Sequence, residues 1–262
     1  MEIENKLSRR KVRKMITADL IISAVEASQN RKIKDIRVGL GYICTMLESG
    51  ECGLAYSFRN ELGHCCSVLA QAGDLIGKEC EEIIPWLKDK NLLKAAVGLS
   101  VINAVLNNQF HESETGNVVK AIEMGKDETF GMVGDFEPIL SFVRKQTEKI
   151  YVFERIAQEK DGLYPDKDIP RYLPDCDVIV ITGTSIINNT IDDVLPFCSK
   201  AREVFIVGPS TPLHPESFMK YNVTLLAGTV VTDPEKMMRI ISQGGGTMQM
   251  KPASKHVLVN VR

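Results

Sequence analysis

The spacing of apolar and polar positions changes character near the middle of the chain. Over residues 7–27, Val12, Met15, Ile16, Leu20, Ala24 and Ala27 keep helical spacing, with Ser8 as a suitable N-cap, so the pattern predicts a long amphipathic helix. Short apolar runs at 33–40, 42–47 and 52–58, the first two separated at Gly39 and Gly41, predict three antiparallel strands. Helical spacing returns at 79–86 and again at 91–106, where Leu92, Ala96, Leu99, Ile102 and Leu106 share one side. The pattern weakens over 107–129, as expected of a connection between two units. We place the division near Gly125, which predicts an α+β domain at 1–125 and a second domain at 126–262.

Beyond that point strands alternate with helices. Strands are predicted at 130–134, 150–153, 177–181, 204–207 and 224–226, and helices at 137–146, 191–197, 215–220 and 234–242. This alternation predicts a Rossmann-like, three-layer α/β domain with a mainly parallel sheet, and an α/β class overall. After the flexible Gly244, Gly245 and Gly246, residues 256–261 predict one more strand, which either sheet can receive.

The predicted strand ends carry the candidate chemistry, because ligands of open α/β sheets bind beyond the carboxyl ends of the strands. They supply Gly131, Gly134 and Asp135; then Glu154; then Thr182, Gly183, Thr184 and Ser185; then Gly208, Pro209, Ser210 and Thr211; then Gly228 and Thr229. Glycine allows close approach of a ligand to the backbone, and hydroxyls and helix-start amides donate to polar or anionic groups. GMVGDF at 131–136 lacks the GxGxxG spacing of a dinucleotide turn, although Glu154 stands about twenty residues on, where an acid can accept from ribose hydroxyls. Asn188 precedes Thr190 and the acidic Asp192 and Asp193, a position suited both to capping and to the cleft. Asn103 interrupts an apolar helix and faces either the cleft or solvent. His214, in a proline-rich loop, is an acid–base candidate whose ordinary role would be capping. His64, Cys65 and Cys66, with Cys44 and Cys52 on predicted strands, form a soft-ligand group, for which burial as core residues is the alternative.

Composition narrows the partners. A formal net charge of -2 and a pI near 6.1 give no basic face for nucleic acid, and Arg9, Arg10, Lys11, Arg13 and Lys14 read as a solvated helix face. The N-terminal stretch lacks the uninterrupted apolar core of a signal peptide, and no run is long enough to span a bilayer, so a cytoplasmic protein without a membrane partner is expected. Seven cysteines without a CxxC pair suit reduced thiols. A homo-oligomer stays open.

GMVGDF, the VFE strand end, DVIVITGTSIINNT, VGPSTPLHP and LAGTVVTDPE occur in this order and together resemble the bacterial and archaeal family described as putative heavy-metal chelation proteins. The resemblance implies an enolase N-terminal-like domain joined to a Rossmann-like domain, with a site in the cleft between them. It implies a site built from Asp135, Glu154, Thr182, Gly183, Thr184, Asn188, Gly208, Ser210, Thr211, Gly228 and Thr229, with Asn103 across the cleft. The leading expectation is a protein that binds a small polar or anionic ligand, a metal ion or a metal-bearing chelate, with Asp135 and Glu154 as hard-oxygen donors. The alternative is a transferase-like enzyme using a nucleotide-type cofactor, S-adenosylmethionine or a dinucleotide, with Glu154 on its ribose. A third is a scaffold subunit, which would need an exposed uncharged patch.

Overall fold

Apolar β-branched runs and glycine-bounded turns assemble into two sheets. The computed structural model describes residues 15–62, 68–110, 115–155 and 162–262. Its elements in chain order are α1 (Ile16–Ala27), β1 (Ile33–Val38), β2 (Tyr42–Leu47), β3 (Cys52–Tyr56), α2 (Cys80–Ile83), α3 (Leu92–Leu106), α4 (Val118–Ala121), β4 (Phe130–Val133), α5 (Glu137–Val143), β5 (Ile150–Phe153), α6 (Ile169–Tyr172), β6 (Val178–Thr182), α7 (Thr184–Ile187), α8 (Ile191–Val194), β7 (Glu203–Val207), α9 (Pro215–Phe218), β8 (Leu225–Val231), α10 (Pro234–Ser242), α11 (Thr247–Met250) and β9 (Ser254–Asn260). Strands β1-β2-β3 form an antiparallel sheet, and a six-stranded sheet runs in the order β5-β4-β6-β7-β8-β9. All pairings in the larger sheet are parallel except that of β8 with β9. The fold is therefore mixed α/β, with a mainly parallel sheet beside a small antiparallel one. Ser8, the basic cluster at 9–14 and the His64, Cys65, Cys66 group lie outside the described residues.

Helix α3 joins the two sheets. Its pattern suggested an apolar stripe, yet thirteen of its fifteen residues are buried, so the helix is enclosed on all sides. Asn91 caps it by accepting from the Leu93 and Lys94 amides. One side rests so closely on β3 that a Cβ on Gly53 would collide with the backbone of Ser100 and Ala104. Thr45 and Ser100 add a buried hydroxyl pair at 2.6 Å. On the opposite face of the small sheet, Met237, Met238 and Ile241 of α10 pack against Cys44, Met46 and Leu54. The segment before β4 packs on the larger sheet: the Gly116 N–H donates to the His256 carbonyl, and Val118, Val119 and Ile122 share an apolar cluster with β4 and β6.

Two strand expectations change. β8 extends to Val231 rather than ending at 226, because β9 pairs with it over seven residues, from Leu225↔Asn260 to Val231↔Ser254. That pairing also assigns the last strand to the larger sheet. The helices predicted at 79–86 and 191–197 each shorten to one α-turn followed by a 3-10 turn, at Ile84–Lys88 and Leu195–Cys198, each with proline in its first turn.

Helix α1 is anchored by a carboxylate 176 positions away. Asp192 of α8 accepts the Ile16 N–H at 2.6 Å and the Thr17 hydroxyl at 2.9 Å, placing negative charge at the positive end of the α1 dipole. The carboxylate is buried, so truncation leaves two donors unpaired. Asp192→Ala is expected to lower unfolding free energy by about 2–4 kcal/mol in urea titration, with little change in m; a loss below about 0.5 kcal/mol would show that the anchor carries no stability.

Candidate functional site

The larger sheet reverses its direction of strand addition between β4 and β6: β5 adds on one side of β4, and β6, β7 and β8 on the other. The connections leaving these two strands diverge, which opens a crevice at their carboxyl ends. A cavity of about 300 Å³ lies there. Val133 ends β4 and Gly134, Asp135 and Phe136 follow it; Phe153 ends β5 and Glu154 and Arg155 follow it; Thr182 ends β6 and Thr184, Ser185, Asn188 and Thr190 follow it. Tyr56, at the end of the last strand of the small sheet, and Phe58, Asn60 and Glu61 beyond it form the facing wall, and Asp166 closes one side.

Local geometry explains each position. Gly134 has φ +96°, and a Cβ there would stand 3.0 Å from Thr182, so only glycine turns the chain sharply enough to aim Asp135 inward without strain. Its N–H donates to the Phe153 carbonyl at 2.8 Å. The Thr182 and Thr184 hydroxyls are 3.0 Å apart, and Ser185 turns back to donate to the Thr182 carbonyl at 2.6 Å. Asn188 Oδ1 accepts from the Thr190 amide at 3.2 Å and hydroxyl at 2.8 Å, which fixes the turn into α8. Tyr56 and Phe58 meet edge to face with centroids 5.2 Å apart.

The cavity is acidic. Asp135, Glu154 and Asp166 face it, together with Glu61 and, among the described residues, a single cation, Arg155. Arg155 is committed to Glu61, which it reaches through two contacts at 3.2 and 2.6 Å, while its guanidinium lies over Phe58. Burial pushes the Glu154 carboxyl above its usual range; the Arg155 N–H opposes this, and the charges of Asp166 and Asp135 reinforce it. Burial likewise raises Asp166, with Arg155 acting against the shift. Asp166 arrives through a return of the chain along β5, where the Glu154 N–H donates to the Tyr164 carbonyl at 2.9 Å and the Tyr164 N–H to that of Val152 at 2.8 Å.

Of the residues singled out from sequence, Gly134, Asp135, Glu154, Thr182, Thr184, Ser185 and Asn188 line this cavity. The remainder lie elsewhere. Asn103 is fully buried and donates to the carbonyls of Leu54 and Ser210 at 2.7 and 3.2 Å. Ser210 Oγ accepts the Tyr56 N–H at 2.9 Å. One turn along α3, Asn107 donates to the Thr211 carbonyl and accepts the Leu213 N–H at 2.7 Å. The loop of Gly208, Pro209, Ser210 and Thr211 is thus fastened to α3 behind the cavity wall. Gly183 packs against Thr211, where a Cβ would meet its hydroxyl at 2.7 Å. Gly228 and Thr229 sit inside β8 because β9 prolongs that strand; Gly228 packs on Leu213, and Thr229 faces His256 at 3.4 Å. His214 immediately precedes α9; its Nδ1 is 2.9 Å from the Ser217 hydroxyl, and its side chain makes no capping hydrogen bond to the helix backbone.

The sequence reading missed Tyr56, Phe58, Asn60, Glu61, Arg155 and Asp166. The first four end or follow a strand of the other sheet, and Asp166 is brought in by a non-local pairing, so no periodicity marks them. The adjacency of Glu154 and Arg155 was visible but carried no motif.

Two family models match the chain: DUF364 over residues 117–260 and DUF4213 over residues 20–106, both described as putative heavy-metal chelation. The chain belongs to the DUF364 family. An uncharacterized protein of Methanocaldococcus jannaschii is 29% identical over 245 residues, covering 90% of this chain and 93% of its own. Two solved DUF364 structures of unknown function share the fold. The one from Pyrococcus horikoshii has a TM-score of 0.81 at 23% identity, covering 94% of this chain and 100% of its own. The one from Desulfitobacterium hafniense DCB-2 has a TM-score of 0.78 at 22% identity, covering 93% and 98%. Among the described residues of this DUF364 protein, no helix is long and apolar enough to cross a membrane.

Gly134→Ala tests the β4 turn in this DUF364 protein. A side chain at φ +96° pressed against Thr182 is expected to cost about 1–3 kcal/mol, read by thermal or urea unfolding; an unchanged midpoint would refute the requirement for glycine.

Proposed function

We propose that the cleft binds a positively charged metal complex, a hydrated or chelated cation, through outer-sphere contacts. The observation that carries this reading is the convergence of Asp135, Glu154 and Asp166 on one cavity whose single cation among the described residues, Arg155, is already paired with Glu61. Uncompensated carboxylates in a recess focus a negative potential that attracts cations and repels anions, so an anionic ligand fits poorly. A bare ion fits poorly as well: among the described residues, no three His, Cys, Asp or Glu side chains are grouped closely enough to hold one. The cavity has room for a complex, and its carboxylates and hydroxyls suit N–H groups or metal-bound waters. Tyr56, Phe58 and Phe136 supply ring surface for the apolar parts of a chelator. The family description of heavy-metal chelation supports the same class of ligand.

A second reading rests on Glu154, which ends the second strand of the parallel sheet, where an acid accepts from ribose hydroxyls. The acidic cavity favours S-adenosylmethionine, with its sulfonium, over a dinucleotide with its pyrophosphate. Thermal stabilisation by S-adenosylmethionine that disappears in Glu154→Ala would support it.

Hexaamminecobalt(III) is the direct probe of the first reading, because its inert shell permits only outer-sphere binding. Calorimetry should give one site, weakened about tenfold by Glu154→Gln or Asp166→Asn. Affinity should rise with pH through the raised range of these carboxyls and then level off, since the cation binds their charged forms. The linkage runs oppositely for folding. A carboxyl whose folded pKa is raised binds more protons folded than unfolded, so stability declines as pH rises from the ordinary carboxyl range through the raised one. Glu154→Gln should therefore bind more weakly yet melt higher at neutral pH. Equal binding by the Glu154→Gln/Asp166→Asn double variant would overturn the proposal.

A further inference from the structure

A second group of potential ligands lies on the α10 face of the small sheet, away from the cleft. The β2–β3 register sets Cys44 against Leu54 and Met46 against Cys52, which makes the two cysteines diagonal neighbours on one face. Around them Met46, Met237, Met238 and Met250 belong to one buried cluster. Cysteine and methionine make up 17 of the 262 residues, yet they supply five of the nine buried members of this cluster, and Cys52 packs on it as a sixth sulfur. Methionine alone would read as gap filling in an apolar core. Here the thioethers share a cluster with two cysteines that are diagonal neighbours in the register, and Cys52 is reachable. Cys52 is half-buried and lines a cavity of about 270 Å³ with Glu51, Asn108 and Val231, and Val231 is also a member of the sulfur cluster. Across the β1–β2 register, Arg37 stands opposite Cys44, with its guanidinium 2.7 Å from Asp35.

We propose that Cys44 and Cys52 bind a monovalent thiophilic cation of the Cu(I) class between their two sulfurs, with methionine thioethers as weaker flanking ligands. Soft thiolate and thioether donors select such ions over the harder cations that carboxylates and water prefer. Two S–metal bonds form, both thiol protons pass to solvent, and the metal keeps its oxidation state. The resulting centre carries one negative charge, and Arg37, opposite Cys44 in the register, is paired with Asp35 beside it. Neither the carboxylates of the cleft nor the reading of that cleft enters this site.

The test is an anaerobic titration of the reduced full-length chain with Cu(I), in competition with bathocuproine disulfonate. It uses a Cys65→Ser/Cys66→Ser background so that those adjacent thiols do not contribute. One equivalent should bind, with sulfur-only coordination by X-ray absorption. Cys44→Ser and Cys52→Ser should each weaken it by more than the roughly 10–100-fold typical of outer-shell partners. Met237→Leu conserves volume, so it should keep the melting temperature while weakening Cu(I) less than the cysteine variants. Glu154→Gln should leave Cu(I) affinity unchanged, which separates this site from the cleft. If Cys44→Ser fails to fold, the half-buried Cys52→Ser and Met237→Leu still decide. Absence of Cu(I) binding in the background chain, affinity unchanged in the cysteine variants, or nitrogen and oxygen coordination would overturn the proposal.

Discussion

Two asparagines one helical turn apart hold the molecule in its working arrangement. Asn103 and Asn107 project from a helix enclosed on all sides and take their partners from the backbone of the 210–213 loop, while Asn103 also reaches β3. Amides buried at this depth are costly unless bonded, so these contacts specify how the small sheet sits against the large one. Ser210 completes the junction through the Tyr56 N–H. The next ring along the chain, Phe58, belongs to the cavity wall, so the polar junction and the cleft are consecutive features of one strand exit.

The position of the cleft follows from sheet topology, and its character follows from charge. A parallel sheet that adds strands on both sides of β4 leaves a gap beyond β4 and β6, whatever side chains fill it. Here the lining includes four carboxylates, and burial, reinforced by the charges of Asp166 and Asp135, raises Glu154. A folded chain tolerates such a cluster when a ligand returns the energy, which is the physical basis for the proposal that this acidic recess receives a cation. The sulfur cluster beneath α10 differs in every respect: apolar, rich in thioethers and suited to a soft ion.

Much of this was legible from local pattern. The alternation of β-branched runs with helices identified the parallel sheet, and the small polar residues after β4 and β6 marked the edge where the cavity lies, because strand period and turn chemistry are local properties. Gly134, Asp135, Glu154, Thr182, Thr184, Ser185 and Asn188 were found this way. Gly228 and Thr229 were placed at a strand end because β8 looks short by itself; β9 lengthens it through a partner that lies beyond a helix and a glycine turn. The loop at 208–211 has the small and hydroxyl residues of a ligand loop, and nothing in its composition reveals that two buried asparagines occupy it.

What the sequence determined alone was the fold class, the family and one wall of the cleft, since each depends on residues close together along the chain. Tertiary structure decided the opposite wall, the arrival of Asp166 beside Glu154, the capture of Arg155 by Glu61 and the meeting of Cys44 with the α10 methionines. Each of these joins residues from separate elements, and their separation in sequence carries no periodicity from which a contact could be read. Only packing brings them within reach of one another.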